Sequence, residues 1–500
     1  MLRNGFLGIA AVSLALAACG GSQASDKTGA DGANAVKDAQ GNVVSSRAAA
    51  SYSEAMRELE RHDKAGDWTA ESCEATAKLF LDAGDEQGSD KYFASAFYNA
   101  GVAYHRCRNF EEARKHYKGV LDKDPKFHRA RVQLARFDFE ASGGKDVDRA
   151  LAEFTRAVAD SEFQNVEALV EVARLQMKRN NTVSDADGAS DVDRAKKNLQ
   201  RALAVDDGFM PAYNQLAIYY LQRAKQTAGA SGAKVSRGAQ APKLDMQALD
   251  LAVLVSQQAT RKNPNYAAIH NTAGLIFAET GDLNRAVQSF GQARRLDATF
   301  FEAHMNYAAV NMQFRGFNEA AEAYSKAISL RSNDYDAHLG LALALRGQVD
   351  TAPDGDVKLI EAEKYLEKAK SIDPARPEAY FNHAILTQEY KAKAAGDAAT
   401  QALERAIALY KEFVSKAQGK AEFADAVEDV NARPTKKDSE CFGAKAKGDK
   451  ACKRGRIFDI EDIIAFNKQS AAEQKKLEEE KKNQAALEEA GAAAEAGAAK

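Results

Sequence analysis

Three histidines, His270, His304 and His338, recur at intervals of 34 residues, and imidazoles at a fixed spacing are the first candidates for metal chemistry. An acidic run through Asp185, Asp187, Gly188, Asp191 and Asp193 follows part of a calcium-loop pattern, and Gly443 to Lys450 approaches a phosphate-binding loop. None of the three completes its chemistry. Equivalent positions on units stacked side by side have backbones about 10 Å apart, whereas zinc ligands each lie about 2 Å from one ion, so the histidines read as packing residues. Val183 stands where a calcium loop needs its first ligand and Arg194 where it needs a bidentate glutamate, which leaves a solvated loop that caps the next helix. Asp449 occupies the lysine position of the phosphate loop, with no strand pattern ahead of it. HExxH, GxSxG and a Gly-rich dinucleotide turn are absent from the sequence. No catalytic residue, metal or cofactor is therefore assigned, and the chain is not expected to be an enzyme.

The histidine interval is also the period of the apolar pattern around it. Residues 267–300 carry Ala273, Gly274, Phe277, Ala286, Phe290 and Ala293; residues 301–334 carry Tyr307, Ala308, Asn311, Ala320, Tyr324 and Ala327 in the same register. Small residues at Gly274/Ala308 and Ala286/Ala320 allow two antiparallel helices to approach closely, while Phe290/Tyr324 fill the gap to the next pair. A single such pair cannot bury its apolar face, so the period predicts an all-α stacked array.

That register resembles the tetratricopeptide repeat (TPR), and residues 94–127 match it position by position through Phe97, Ala100, Gly101, Tyr104, Ala113, Tyr117, Val120 and Pro125. Ala135, Ala150, Phe154 and Ala157 mark a further repeat, as do Ala173, Ala195, Leu199 and Ala202, and again Ala217, Ala252, Ala259 and Pro264. Ala342, Ala362, Leu366, Ala369 and Pro374 mark the unit after the two regular ones, and Ala384, Ala406 and Tyr410 a degenerate last one. The count is about eight. The resemblance implies a right-handed superhelix of antiparallel helix pairs whose first helices line a concave groove for partner peptides or helices. Its usual groove positions fall on Tyr98, Val102, His105, Asn271, Leu275, Met305, Ala309, Met312, Leu339, Leu343 and Arg346. Such a lining is largely apolar, with methionine able to adapt its shape; the same side chains could instead pack against their own array. The lysine that chaperone-binding members use for a terminal carboxylate is replaced by Tyr98, Asn271, Met305 and Leu339, so a chaperone C-terminus is not the expected ligand.

At the other end of the chain, Arg3, an apolar run from Gly5 to Ala15, and then Leu16, Ala17, Ala18 and Cys19 read as a secretory signal ending in a lipobox. This resembles bacterial lipoprotein precursors, which implies cleavage before Cys19 and a covalent lipid on it. Gly20 follows in place of the aspartate that in enteric bacteria retains lipoproteins at the inner membrane, so the expected site is the outer membrane, facing the periplasm. No later run reaches the roughly 18 apolar residues that would span a bilayer. Residues 1–18 are read as the signal and 19–50 as a flexible lipidated linker, poor in large apolar groups. Residues 51–93 are read as an irregular capping helix pair, 94–418 as the array, 419–456 as a basic linker, and 457–500 as a helix with a low-complexity tail.

With Cys19 used by the anchor, Cys73, Cys107, Cys441 and Cys452 remain, an even number that in an exported chain suggests two disulfides, with free thiols as the alternative. Neither pair has the close spacing of a zinc site. The net charge of -3 with 28% charged residues shows no basic excess of the kind that binds nucleic acid. Arg433 to Arg456 is rich in Lys, Arg and Gly, a solvated linker that could touch anionic polymer, and Ile457, Ile460, Ile463 and Ile464 recur at helical spacing to cap the last repeat or dock on a partner. Anchor and repeats together predict a scaffold for other envelope proteins, resembling the TPR lipoproteins of myxobacterial gliding motility. A pilotin or assembly factor for a secretin or barrel protein is built from the same parts, and a cell-wall enzyme subunit would need a catalytic domain, for which the polar tail is the only segment outside the repeats large enough to consider.

Overall fold

The computed structural model describes residues 42–65, 67–88, 92–181, 189–229, 244–350, 352–393, 397–435 and 452–498. Cys19 with its leader, Asp185, Asp187, Gly188, Cys441 and the Gly443 to Lys450 stretch lie outside them. All regular elements among the described residues longer than one turn are helices. An opening pair, α1 (Ser46–Ala65) and α2 (Ala70–Asp85), precedes α3 (Ala94–Arg106) and α4 (Phe110–Lys123), then α5 (His128–Ala141), α6 (Val147–Asp160), α7 (Val166–Arg179), α8 (Asp191–Val205), α9 (Met210–Gly229) and α10 (Met246–Lys262). Next come α11 (Ala267–Glu279), α12 (Leu283–Leu296), α13 (Phe301–Gln313), α14 (Phe317–Leu330), α15 (Tyr335–Gln348), α16 (Gly355–Ile372), α17 (Glu378–Glu389) and α18 (Asp397–Ala417). The short α19 (Ala424–Asn431) and the long α20 (Arg456–Ala498) close the series. The architecture is a TPR-like array of paired helices, and the chain divides between Ile276 and Phe277 into an N-terminal and a C-terminal compact unit. Among the described residues no helix is long and apolar enough to cross a membrane.

Two turns recur, each with its own chemistry. Within a pair, the first helix ends on a left-handed residue, Arg108 (φ 61°), Gly281 (φ 77°) or Arg315 (φ 59°). The next amide then reaches back to the last helical turn: Asn109 N to Tyr104 O at 3.0 Å, Asp282 N to Phe277 O at 2.9 Å, Gly316 N to Asn311 O at 2.9 Å. This closure satisfies carbonyls that the helix end would otherwise leave bare. Between pairs, an Asp or Asn side chain accepts an amide two residues on: Asp124 from Lys126 at 3.1 Å, Asn263 from Asn265 at 3.0 Å, Asp297 from Thr299 at 2.8 Å, Asp373 from Ala375 at 3.1 Å. Such Asx turns fix the chain reversal locally.

The three periodic histidines close that second turn. Nε2 of His270 donates to Pro264 O at 2.7 Å, that of His304 to Ala298 O at 3.1 Å, and that of His338 to Ser332 O at 2.9 Å. Arg131 makes the same bond to Pro125 O at 2.6 Å, and Tyr380 to Pro374 O at 3.3 Å. The position is thus a polar clamp on the turn as well as a packing residue. A large side chain with a terminal donor suffices, which is why His, Arg and Tyr alternate there.

Small residues act as the repeat pattern requires of them. Ala286, Ala320, Ala308 and Ala342 are buried. A Cβ added to Gly101 would stand 2.8 Å from a Tyr117 ring carbon, and one added to Gly340 would lie within 2.8 Å of three Tyr324 ring carbons. Tyr324 of α14 thereby packs on α15 of the following pair, filling the gap expected of it. Tyr117, Phe154 and Phe290 are fully buried in their own units.

Several boundaries differ from the sequence reading. α1 opens at Ser46, inside the stretch taken as linker, because Ser45 Oγ accepts the Ala48 amide at 3.2 Å and Val44 and Ala48 pack on Phe93 and Ala96. Two small buried contacts are enough, although composition alone predicts none. The basic linker at 419–456 begins with α19, which buries Val430 beneath Ile457, Ile460 and Ile464 of α20 and beside Tyr410 and Phe413 of α18. α20 therefore caps the last pair, and it continues to Ala498 as one helix of 43 residues, exposed from Ala471 to Ala485.

Candidate partner-binding face

The groove positions carried over by resemblance divide sharply once placed. In the N-terminal unit, Tyr98, Val102, Asn271 and Leu275 are buried. Tyr98 lies against Tyr117 and Phe127, with ring centroids 5.3 and 5.4 Å away, and His105 sits 4.8 Å from the Phe137 ring and 5.7 Å from that of Phe110. Burial, reinforced by Arg106 and Arg136, pulls the His105 pKa down to about 4. These side chains fill the space between their own helices. Tyr98, Val102, Asn271 and Leu275 are core residues, and the expectation that they line an open groove is corrected accordingly, while His105 is half-buried.

The same unit carries a charged network on its first helices that the sequence reading missed. Arg136 of α5 pairs with Glu171 of α7 at 3.1 Å and Glu167 at 3.6 Å, and Arg174 pairs with Glu171 at 2.6 Å. Burial opposes the charges of Glu171 and Arg136, yet Arg174 and Arg136 hold the Glu171 carboxyl below its usual range, and Glu171 and Glu167 hold Arg136 above its own. The network is closed on itself.

In the C-terminal unit Met305 is buried at 6% exposure and belongs to the core with Phe301, Ala308 and Leu341. Ala309, Met312, Leu339, Leu343 and Arg346 are only half-buried. Leu339, Leu343 and Arg346 follow at i, i+4 and i+7 on α15, so they share one helix face. Phe381 and Ile385 hold the corresponding positions on α17 and are half-buried too. The degenerate last repeat hides their register in the sequence. Arg346 Nη1 donates to Asn382 Oδ1 of α17 at 3.2 Å. Burial, with Arg456 nearby, lowers its pKa despite the opposing pull of Tyr390 and Glu389.

The remaining candidates serve structure. A disulfide joins Cys73 of α2 to Cys107 at the end of α3, with Cα atoms 6.3 Å apart, and so ties the opening pair to the first repeat. Cys452 is also disulfide-bonded. Asp191 takes a bidentate contact from Arg179 at 2.7 and 2.8 Å, and Asp193 forms a capping box with Ser190 on α8. Both acids are thus committed within the fold. His383, buried between α16 and α17, contacts Glu363 at 3.1 Å and Lys370 at 2.9 Å.

Residues 94–127 match the tetratricopeptide repeat. No curated protein matches the chain. Among solved structures it is similar to TTC0263, a thermophilic TPR protein of Thermus thermophilus, at 27% identity and TM-score 0.35, over 44% of this chain and 98% of that one. It is also similar to Pseudomonas aeruginosa PilF at 16% identity and TM-score 0.35, over 50% and 95% of the two chains. MamA from Desulfovibrio magneticus RS-1 matches at 17% identity and TM-score 0.30, over 41% and 97%.

Proposed function

We propose that this TPR-like array is a scaffold for protein–protein interactions, anchored in the outer membrane by lipid on Cys19 and facing the periplasm, where it assembles other envelope proteins into a machine such as that of gliding motility. The observation that carries the binding role is the half-exposed apolar row Ala309, Met312, Leu339 and Leu343 on successive first helices of the C-terminal unit. A partner segment laid on that row would bury such side chains at roughly 1.5 to 3 kcal/mol for each large one fully removed from water, before the costs of association. The Cys73–Cys107 bridge suits an oxidising compartment, and the leader with Cys19 supplies the address.

Crosslinking in intact cells followed by mass spectrometry tests the reading. Recovery of outer-membrane and motility-machine proteins is the expected result; recovery of cytoplasmic proteins alone contradicts it. Cys19→Ser is expected to move the protein from the outer-membrane fraction to the soluble periplasmic one, and unchanged membrane attachment removes the anchor from the account.

A further inference from the structure

We infer that Arg346, with Leu343 and Met312 beside it, forms a socket for the carboxylate of an Asp or Glu side chain carried on an apolar segment of a partner protein. The inference rests on the protein-binding reading above and names the chemistry of the partner.

In both units the sixth residue of a repeat meets an arginine of the preceding first helix, the ninth residue of its repeat for Arg136 and the twelfth for Arg346. Glu171 is the sixth residue of its repeat and gives Arg136, on the preceding first helix, a carboxylate at 3.1 Å. Asn382 is the sixth residue of its own repeat and offers Arg346, on the preceding first helix, only a neutral amide oxygen at 3.2 Å. Nearby carboxylates are already engaged: Arg456 takes Glu389 at 3.3 Å and Asp429 at 3.4 Å. Among the described residues none pairs with Arg346. A guanidinium carries five donors in a planar fork, and one drawn partly out of water without a charged partner loses hydration that a neutral acceptor only partly replaces. A carboxylate arriving from outside restores the balance with charge-assisted, geometrically defined bonds. Leu343 and Leu339, one and two turns back on the same face of α15, and Met312 on α13 require apolar neighbours for that acid. One available arginine in such surroundings fits a single negative charge better than a phosphate, which normally draws a cluster of cations.

The test pans phage-displayed 12-residue peptides on the purified full chain, then measures each selected peptide by fluorescence anisotropy. The expected peptides carry an Asp or Glu flanked by apolar residues. Arg346→Gln should weaken them at least tenfold, changing the peptide's acid to its amide should do the same, and the two changes together should weaken binding no further. Asn382→Glu, which supplies the missing carboxylate from within, should abolish binding while raising the thermal midpoint, an outcome that a misfolded variant cannot imitate. Peptides without acidic enrichment, or acidic peptides indifferent to Arg346→Gln, overturn the socket and leave the scaffold reading intact. Failure to select any peptide counts against both.

Discussion

The first helices of the N-terminal unit and those of the C-terminal unit follow one register and put it to opposite uses. In the former, the positions that face along the array hold Tyr98, Val102 and the Arg136–Glu171–Arg174 network, all satisfied by neighbours within the unit. In the latter they hold Met312, Leu339, Leu343 and Arg346, which their own helices cover only in part. The repeat therefore specifies where a side chain stands. Whether an arginine on a first helix finds a carboxylate within its unit is set here by the sixth residue of the next repeat, glutamate beside Arg136 and asparagine beside Arg346.

The largest effect should come from breaking the closed network. Glu171→Ala leaves two partly buried arginines without their shared partner and should lose about 3 to 5 kcal/mol in denaturant unfolding, whereas Asn382→Ala should lose about 1 kcal/mol or less. Equal losses would erase the distinction between the units. Next in size, Cys73→Ser with Cys107→Ser should cost about 3 to 4 kcal/mol for a loop of this length, with a change confined to the N-terminal unit in hydrogen exchange.

Acid should also strike the satisfied unit. His105 ionises near 6.5 when unfolded but is held to about 4 in the fold by burial, then by Arg106 and Arg136. The unfolded chain therefore takes up the proton first, so the stability present above pH 6.5 drains as pH falls toward 4. Burial lowers His116, His128, His304 and His383 as well. A thermal midpoint that falls across this window, with a shallower fall in His105→Phe, is the expected outcome; a flat profile contradicts the neutral, buried imidazole.

Smaller effects sharpen the contrast. Arg315 occupies the left-handed turn position that Gly281 fills 34 residues earlier, so Arg315→Gly should gain up to about 1 kcal/mol in thermal unfolding. Met312→Glu with Leu343→Glu should change stability by roughly 0.5 kcal/mol or less each while removing partner capture. Met305→Glu, by contrast, should unfold the region, since Met305 is core.

Much of this was legible in the sequence. The 34-residue register located the helix pairs, and small residues such as Ala286 and Ala320 marked the close approaches, because packing between identical units imposes identical demands. The ends were harder: α1 starts at Ser46 on the strength of one cap and two small contacts, which average composition cannot register. The candidate face was half legible. Family positions put all of these residues in one groove; Met312, Leu343 and Arg346 are half-buried, whereas Tyr98 and Asn271 are covered by their neighbours, since openness depends on what the adjacent helix contributes. The Arg136–Glu171 pair was readable in principle as opposite charges 35 residues apart, close to one repeat period. The histidine clamp was hidden because its partner is a backbone carbonyl, which leaves no mark in the sequence.

The most direct test of the contrast is site-specific photo-crosslinking in living cells, with the photoreactive residue placed at Met312 or Leu343 in one unit and at the likewise half-buried His105 or Met177 in the other. The account predicts partner adducts from Met312 and Leu343 and none from His105 and Met177. Adducts from the N-terminal positions with silence at Met312 and Leu343 would contradict it.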